Sequence, residues 1–181
     1  MKKSKLPLLL ACCILFSCNN SPEEYFNSAV LNSNSIYGFA GDGMHRELVS
    51  PSVKLTDEKT GATAPMTRTE VIQDKIKTVE TNFEKVKSLS VTDETKEMLT
   101  ASIAMYEYIL PVYKNEYQQL ALLYDNGAAP EKIEAAEKII NDKYAVKFLQ
   151  LHNEVLTAGK GYAVKHGIQV REVNTSPSNN Y

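Results

Sequence analysis

The stretch that decides the fold covers residues 130–162 and reads PEKIEAAEKIINDKYAVKFLQLHNEVLTAGKGY. Its apolar residues recur at steps of three or four, which places them on one face of an α-helix. The stripe consists of Ile133, Ala136, Ile140, Tyr144, Phe148, Leu151, Val155, Ala158 and Tyr162. The pattern predicts one long amphipathic helix that begins at Pro130 and buries this face. Gly159 and Gly161 weaken its last turns, so we expect either a kink there or a close approach of another part of the chain.

A second long stripe precedes it and predicts a helix from Thr92 to the stop signal Asn126-Gly127. Its members alternate steps of four and three, a heptad pattern that favours near-parallel helix packing. They are Leu99, Ile103, Tyr106, Leu110, Tyr113, Tyr117, Leu120 and Tyr124. Pro111 lies in the middle of this stripe. Because proline removes a backbone donor and crowds the preceding turn, we expect a kink or break there.

Capping signals predict the starts of two earlier helices. Thr67-Arg-Thr-Glu70 reads as a capping box, and Ser21-Pro22-Glu23-Glu24 places serine at the N-cap and proline at the first helical position. Their stripes are Ile72, Ile76, Val79, Phe83 and Val86, and Phe26, Ala29, Val30, Ser33, Ile36 and Tyr37. The sequence therefore predicts an all-α fold, an antiparallel up-down bundle of four helices over residues 18–167. Residues 168–181 are expected to be a disordered tail.

The segment between the first two helices, residues 38–65, is punctuated by glycine and proline. Its start, GFAGDGMHR (residues 38–46), has the glycines of an anion-binding loop, with Asp42, His45 and Arg46 nearby. A phosphate loop follows a strand, and no β pattern precedes this one. We therefore interpret the segment as a connector with one helical turn near Met44–Val49.

The first residues read as a secretory signal. Three lysines precede the apolar run Leu6–Phe16, which is shorter than the roughly 20 residues of a spanning helix. Leu15-Phe16-Ser17-Cys18 resembles the lipobox of bacterial lipoproteins. That resemblance implies cleavage after residue 17 and a lipid on Cys18. The alternative is an ordinary secreted protein cut near Ser17. A second match ending at Cys12 is rejected because its apolar run is too short.

Further likenesses point to the cell envelope. Ser21-Pro22-Glu23-Glu24, just after the cysteine, resembles the surface-export signal of Bacteroidota-type lipoproteins. Residues 25–36 (YFNSAVLNSNSI) and 161–168 (GYAVKHGI) look like a family of small helical surface lipoproteins of Leptospira and Bacteroidota. The family resemblance implies a location and a helical bundle, and it implies no catalytic residues. The expected location is the cell envelope, as an outer-membrane lipoprotein that faces the periplasm or the exterior.

Charge and cysteine content exclude several classes of function. The chain carries 20 basic and 22 acidic residues, and residues 1–17 hold three of the lysines and no acid. The mature chain of 164 residues therefore has a net charge of −5 and no basic stripe, which argues against nucleic acid as a partner. All three cysteines, Cys12, Cys13 and Cys18, lie within residues 1–18. We therefore expect no disulfide and no thiolate metal site in the bundle.

Catalytic and cofactor motifs are missing from the sequence. His152 and His166 are separated by about 21 Å along a helix at 1.5 Å per residue, too far to share a metal. Neither histidine has a glutamate three residues before it, as di-iron bundles require. No nucleophile elbow or zinc-protease motif is present. The sequence therefore predicts a protein without a cofactor that is not an enzyme.

Tyrosine is the compositional oddity, with 10 residues in the chain. Tyr106, Tyr113, Tyr117 and Tyr144 fall on the last two helical stripes. We expect their rings to lie flat in the core while their hydroxyls reach its rim. The alternative is a tyrosine-lined groove between the last two helices that carries an apolar or amphipathic ligand.

The sequence as a whole favours a lipid-anchored binding or structural module. Its expected partners are the membrane, through the N-terminal lipid, and an envelope or extracellular protein or glycan. In an up-down bundle tethered at Cys18, residues 38–65 and the turn near Gly127 lie far from the membrane. Asp42, His45 and Arg46 are therefore the predicted first contacts for such a partner.

Overall fold

The computed structural model describes residues 20–170. Its elements, in chain order, are α1 (Pro22–Ala29), a 3-10 helix (Leu31–Ile36), α2 (Asp42–Val49), β1 (Val53–Asp57), β2 (Ala62–Pro65), α3 (Arg68–Ser88), α4 (Lys96–Val112), a π-helical turn (Tyr113–Tyr117), α5 (Gln118–Asp125) and α6 (Pro130–His166). Cys18, the expected signal peptide and residues 171–181 of the expected tail lie outside the described residues. Within the described part, no helix is both long and apolar enough to cross a membrane.

Three long helical rods form the body of the bundle. α6 packs against α4 and α5, and α3 packs against the same two helices. The fourth position is filled by two short helices, because α1 packs against α3, α4 and α6 while α2 packs against α3. The predicted all-α helical bundle is confirmed. The predicted count of four helices was wrong: α4, the π-helical turn and α5 form one continuous helix, and residues 20–170 then contain five helices.

The fourth position, which is called the first rod because it comes first in the chain, is broken between α1 and α2. The residues between these two helices do not favour a continuous helix. Residues 32–35 are poor helix formers, and Gly38 and Ala40 adopt φ values of +97° and +49°. A Cβ built on Gly38 would lie 2.7 Å from the Cα of Gly43, so the chain crosses itself there at a distance that only glycine permits. Phe39 and Ala40 are buried in the core. This part of the expected connector is therefore part of the packed interior.

Pro111 does not break the helix that contains it. The helix continues through the π-helical turn Tyr113–Tyr117 into α5. A π-helical turn is a common way for a helix to absorb a local disruption, and this one begins two residues after the proline. The Asn115 side chain donates to the Pro111 carbonyl at 2.8 Å. Of the two expected outcomes, a kink or a break, the break was therefore wrong, and the helix is instead distorted at the π-helical turn.

A small antiparallel hairpin, β1–β2, follows α2 and was not foreseen. Val53 pairs with Pro65, and Leu55 pairs with Thr63. The turn is held by Asp57, whose side chain accepts hydrogen bonds from the backbone N–H groups of Lys59 and Thr60. Nearly all of the hairpin is exposed. Its base is tied to α3, since Lys54 forms an ion pair with Glu70.

Most of the predicted ends of the long helices are observed, but α4 begins at Lys96 and not at the predicted Thr92. Thr67 and Glu70 form both halves of the capping box at the start of α3. After α5 and α6, Gly127 and Gly167 adopt φ values of +64° and +67°. The N–H of Ile168 donates to the Ala163 carbonyl at 2.9 Å, which closes the C-terminal cap of α6.

The bundle has two distinct ends. The Tyr25 hydroxyl of α1 donates to the Ser90 carbonyl at 3.0 Å, and its ring lies 6.5 Å from that of Tyr162. The start of α1, the α3–α4 turn and the end of α6 therefore meet at one end, named here the α1 end. At the opposite end, the backbone N–H of Arg68 donates to Asp125 at 2.8 Å. This hairpin end holds the hairpin, the start of α3 and the α5–α6 turn.

Candidate functional site

A cluster of polar side chains near the hairpin end joins α2, α5 and α6 around Glu137. His45 Nδ1 of α2 lies 2.9 Å from Glu137 Oε2. The Tyr124 hydroxyl of α5 donates to Glu137 Oε1 at 2.7 Å. The Glu137 side chain is 15% exposed, whereas that of His45 is 53% exposed. The carboxylate is therefore held from both sides, and only the imidazole presents a large surface to solvent.

Tyr124 is the aromatic member of this cluster. Burial is the main cause that raises its pKa well above the ordinary value for a tyrosine, and its hydrogen bond to Glu137 raises it further. The Arg68 guanidinium carbon lies 5.9 Å from the ring centroid, within cation–π range. Arg68 Nε also donates to the Leu48 carbonyl at 3.0 Å, which ties the end of α2 to α3. Tyr124 therefore acts as a neutral hydrogen-bond donor.

Asp125 caps α3 from outside that helix. Its carboxylate accepts hydrogen bonds from the backbone N–H groups of Arg68 and Thr69 at 2.8 and 2.9 Å, and from the Thr69 hydroxyl at 2.7 Å. Partial burial acts to raise the pKa of Asp125, but these donors outweigh it, and the pKa lies below its usual value. A negative charge is also favoured at a helix N-terminus. Asp125 thus joins α5 to the start of α3.

A cavity of about 10 Å³ lies behind His45 and Glu137. That volume is about what one water molecule needs. Its walls include Met44, Leu48 and Ile140. The arrangement therefore has room for a water molecule and none for an organic substrate, and its chemistry is that of a polar clamp between helices.

The three predicted contact residues lie together on α2. Asp42, His45 and Arg46 are all exposed. The glycine segment before them does not form an anion loop, because the N–H of Met44 is already directed at the carbonyls of Gly38 and Gly41 at 3.2 and 3.1 Å. The interpretation of this segment as something other than a phosphate site therefore agrees with its geometry.

The four tyrosines proposed for a groove do not line one. Tyr106, Tyr113 and Tyr117 are each no more than 2% exposed and belong to the core. The Tyr117 hydroxyl accepts from the Ala40 N–H at 2.9 Å, and the Tyr113 hydroxyl lies 3.6 Å from the sulfur of Met44. The groove hypothesis is thus corrected: the rings of Tyr113 and Tyr117 pack against that of Phe39, which precedes α2.

Tyr144 and Tyr106 differ from the other two tyrosines. Tyr144 lies at the edge of the core, where its hydroxyl donates to Glu116. Among residues 20–170, the buried Tyr106 hydroxyl has no hydrogen-bond partner, and burial raises its pKa well above the ordinary value. The ring of Tyr106 stacks on that of Phe83 at 5.8 Å. Neither residue faces an open groove.

Sequence reasoning missed the partners that hold this site together. Glu137 adjoins the α6 stripe, yet 92 residues separate it from His45, and no local pattern pairs the two. The exposed apolar residues Val53 and Leu55 were missed with the hairpin. Their alternation with Lys54 and Thr56 is a strand signal, but it is only a few residues long.

Comparisons with known proteins add no relative. No family model, no curated protein and no solved structure matches this chain. Among residues 20–170, no group of three or more histidine, cysteine, aspartate or glutamate side chains is arranged to hold a metal ion.

Proposed function

We propose that this chain is a cell-envelope lipoprotein, anchored through Cys18 in the outer membrane, whose bundle is a binding or structural module. The partner is an envelope or extracellular protein or glycan, and it contacts the hairpin end. The proposal starts from the lipobox-like Leu15–Cys18 and from the short tether. Only residues 19–21 separate Cys18 from α1. Four residue steps of about 3.5 Å place the α1 end within about 14 Å of the lipid.

The opposite end is then the part that reaches outward. α6 has 37 residues, so the bundle is about 55 Å long at 1.5 Å per residue. The one observation that carries the proposal is the exposure of Val53 and Leu55 at this far end, at 64% and 57%. Both lie on β1 at alternate positions and so share one face of the hairpin. The exposed polar residues Asp42, His45 and Arg46 lie on α2, the helix that precedes the hairpin in the chain.

The anchoring step is tested by Cys18→Ser. We expect the variant to leave the membrane fraction and to stay unprocessed by the lipoprotein signal peptidase. A variant that still sediments with membranes and matures normally would refute the anchor.

The contact step is tested with two valines of equal exposure. Val53 at the hairpin end and Val91 at the α1 end are both 64% exposed. In native membranes, a crosslinker placed on the bundle should capture a discrete partner, and Val53→Ser should reduce that capture while Val91→Ser leaves it unchanged. Equal capture by both variants, or a loss confined to Val91→Ser, would remove the hairpin end as the contact.

A further inference from the structure

α6 has a second apolar stripe, on the face opposite the core. Its residues are Ile139, Val146, Leu149, Leu156 and Val164, which are 64%, 80%, 54%, 41% and 77% exposed. The core-facing stripe of the same helix includes Ile140, Phe148, Leu151 and Val155. At 100° per residue, the two stripes are centred on opposite sides of the helix. A row of large exposed apolar side chains on a folded surface marks an interaction site.

The outward stripe has the composition of a coiled-coil seam. If Ile139, Val146 and Asn153 are placed at heptad position a, Leu149 and Leu156 fall at position d. β-Branched residues at a with leucine at d favour two parallel strands. A single asparagine at an a position fixes register and limits the number of strands, because it pairs with its own copy. Asn153 is exposed and occupies that place between the two leucines.

The flanks of the seam suit a second copy of the same helix. Between Val146 and Leu156, the flanking positions e and g carry Gln150 and His152, with Ala145 and Thr157 just outside. None of these is a lysine, arginine or acid, so two identical faces meet there without like-charge repulsion between such residues. Toward the hairpin end, Asp142 stands at position d and is paired with Lys138 at 2.6 Å. Two facing Asp142 carboxylates would end the seam before it reaches Ile139, and Lys160 at the next position a ends it after Leu156.

We propose that this outward face of α6 is a self-association surface that pairs in parallel with the same face of a second copy. The chemistry is that of a short two-stranded coiled coil, with Asn153 opposite Asn153 and leucines on either side. The two-fold axis lies between the two copies of α6 and runs parallel to them. The α1 ends of both copies therefore lie side by side. In that geometry, two chains that are anchored in the same membrane can also meet side by side. The seam itself does not depend on the anchor.

The area of the seam predicts how strong the association is. Leu156 is the last seam residue, because Lys160 takes the next position a. From Val146 to Leu156 the helix rises about 15 Å, and a helix is about 10–12 Å wide, so the contact covers about 170 Å² of each copy. A stable interface buries about 800 Å² of each partner. The pair is therefore weak in dilute solution and forms when two copies are concentrated, for example on one membrane surface.

Disulfide trapping tests the proposal on the full chain in its native membranes. Single cysteines are placed at Val146 and Asn153 on the seam, and at the exposed Lys147 off the seam. Under mild oxidation, Val146→Cys and Asn153→Cys should form covalent dimers at least tenfold faster than Lys147→Cys. Equal rates at all three positions would overturn the proposal, and the stripe would then serve a different partner or the lipid surface.

Further variants test whether the two helices pair in parallel and whether the pairing depends on the seam residues. A mixture of Val146→Cys and Leu156→Cys chains should yield less heterodimer than Val146→Cys yields homodimer, because 146 and 156 face each other only in an antiparallel pair. The reverse result would overturn the parallel arrangement. Leu149→Glu in the Asn153→Cys chain should abolish the covalent dimer, whereas Lys147→Glu should not. All of these positions are exposed, so circular dichroism and the melting temperature should stay unchanged.

A parental chain without added cysteine separates this proposal from the anchoring proposal. It should give no covalent dimer if Cys18 carries a lipid. A dimer of the parental chain would mean a free Cys18, which refutes the anchor. The seam is then tested in a Cys18→Ser background at high protein concentration, with the same expected order of rates.

Discussion

Gly159 of α6 lies directly against Val30, the residue that ends α1. A Cβ built on Gly159 would stand 2.5 Å from Val30 Cγ2 and 3.0 Å from Cγ1. Such a contact is far inside van der Waals distance, so the absence of a side chain at 159 is what lets α1 dock on α6. Gly161, two residues later, has no atom of the described part of the chain within 4 Å of an equivalent Cβ. Packing therefore requires glycine at position 159 of α6, whereas it does not require glycine at position 161.

Alanine at these two glycines should have opposite effects. Gly159→Ala should lower the free energy of unfolding by about 1–3 kcal/mol, the usual cost of overpacking a core. Gly161→Ala should raise it by up to about 1 kcal/mol, because alanine favours a helix over glycine. Urea denaturation of both variants measures the difference. A stabilised Gly159→Ala chain would mean that α1 does not dock closely on α6.

Phe148 and Leu151 of α6 are 2% and 6% exposed. Truncation of either to alanine should cost about 2–5 kcal/mol through lost contacts and a cavity. Lys147 is exposed and should tolerate alanine within about 0.5 kcal/mol. Similar losses at all three positions, measured by thermal or chemical unfolding, would contradict the assignment of the buried face.

Asp125 should make stability depend on pH in the acid range. Its pKa is lower in the folded protein than in the unfolded chain, so its contribution is complete above the unfolded pKa of about 3.9 and is lost as pH falls through the folded value. Asp125→Asn should cost about 1 kcal/mol at neutral pH, as expected for a lost helix cap. The difference from the parent should shrink below pH 4. A difference that stays constant from pH 7 to pH 3 would exclude this cause.

His152 should weaken the fold on mild acidification. Burial lowers the pKa of His152, whose ring lies beside those of Phe148 and Tyr37. The unfolded chain binds this proton first, so stability falls as pH drops below the unfolded pKa of about 6.5. His152→Gln should reduce the loss of unfolding free energy between pH 7.5 and pH 5.5. An unchanged pH slope in this variant would assign the acid sensitivity to other groups.

The core of α6 could be predicted from sequence, whereas that of α4 could be predicted only in part. Every member of the α6 stripe is buried or packed against the core. On α4, Met105 and Ile109 are fully buried although they lie off the predicted heptad, and Ile103 and Leu110 are only partly buried. The physical reason is that α4 packs against both α3 and α6. A helix with two neighbours buries a wider face than a single seam describes.

The candidate site could be located only coarsely. The exposure of Asp42, His45 and Arg46 agrees with their assignment as surface residues of the segment after Gly38. Their setting depends on Glu137 and Tyr124, which reach them only through the tertiary fold. Hydrophobic periodicity carries no information about such polar pairs. The helical turn expected near Met44–Val49 corresponds to α2. The close packing of the chain before it was missed, because the crossing of Gly38 over Gly43 is a contact between backbones.

That break divides the first rod into two pieces with separate attachments. α1 is held by Val30 against Gly159 and by the Tyr25–Ser90 hydrogen bond, whereas α2 is held by Met44, Leu48 and the His45–Glu137 contact. Because the turn at Gly38–Ala40 separates these two sets of contacts, we expect strain at the start of the bundle to loosen α1 before α2 and to leave the hairpin end in place.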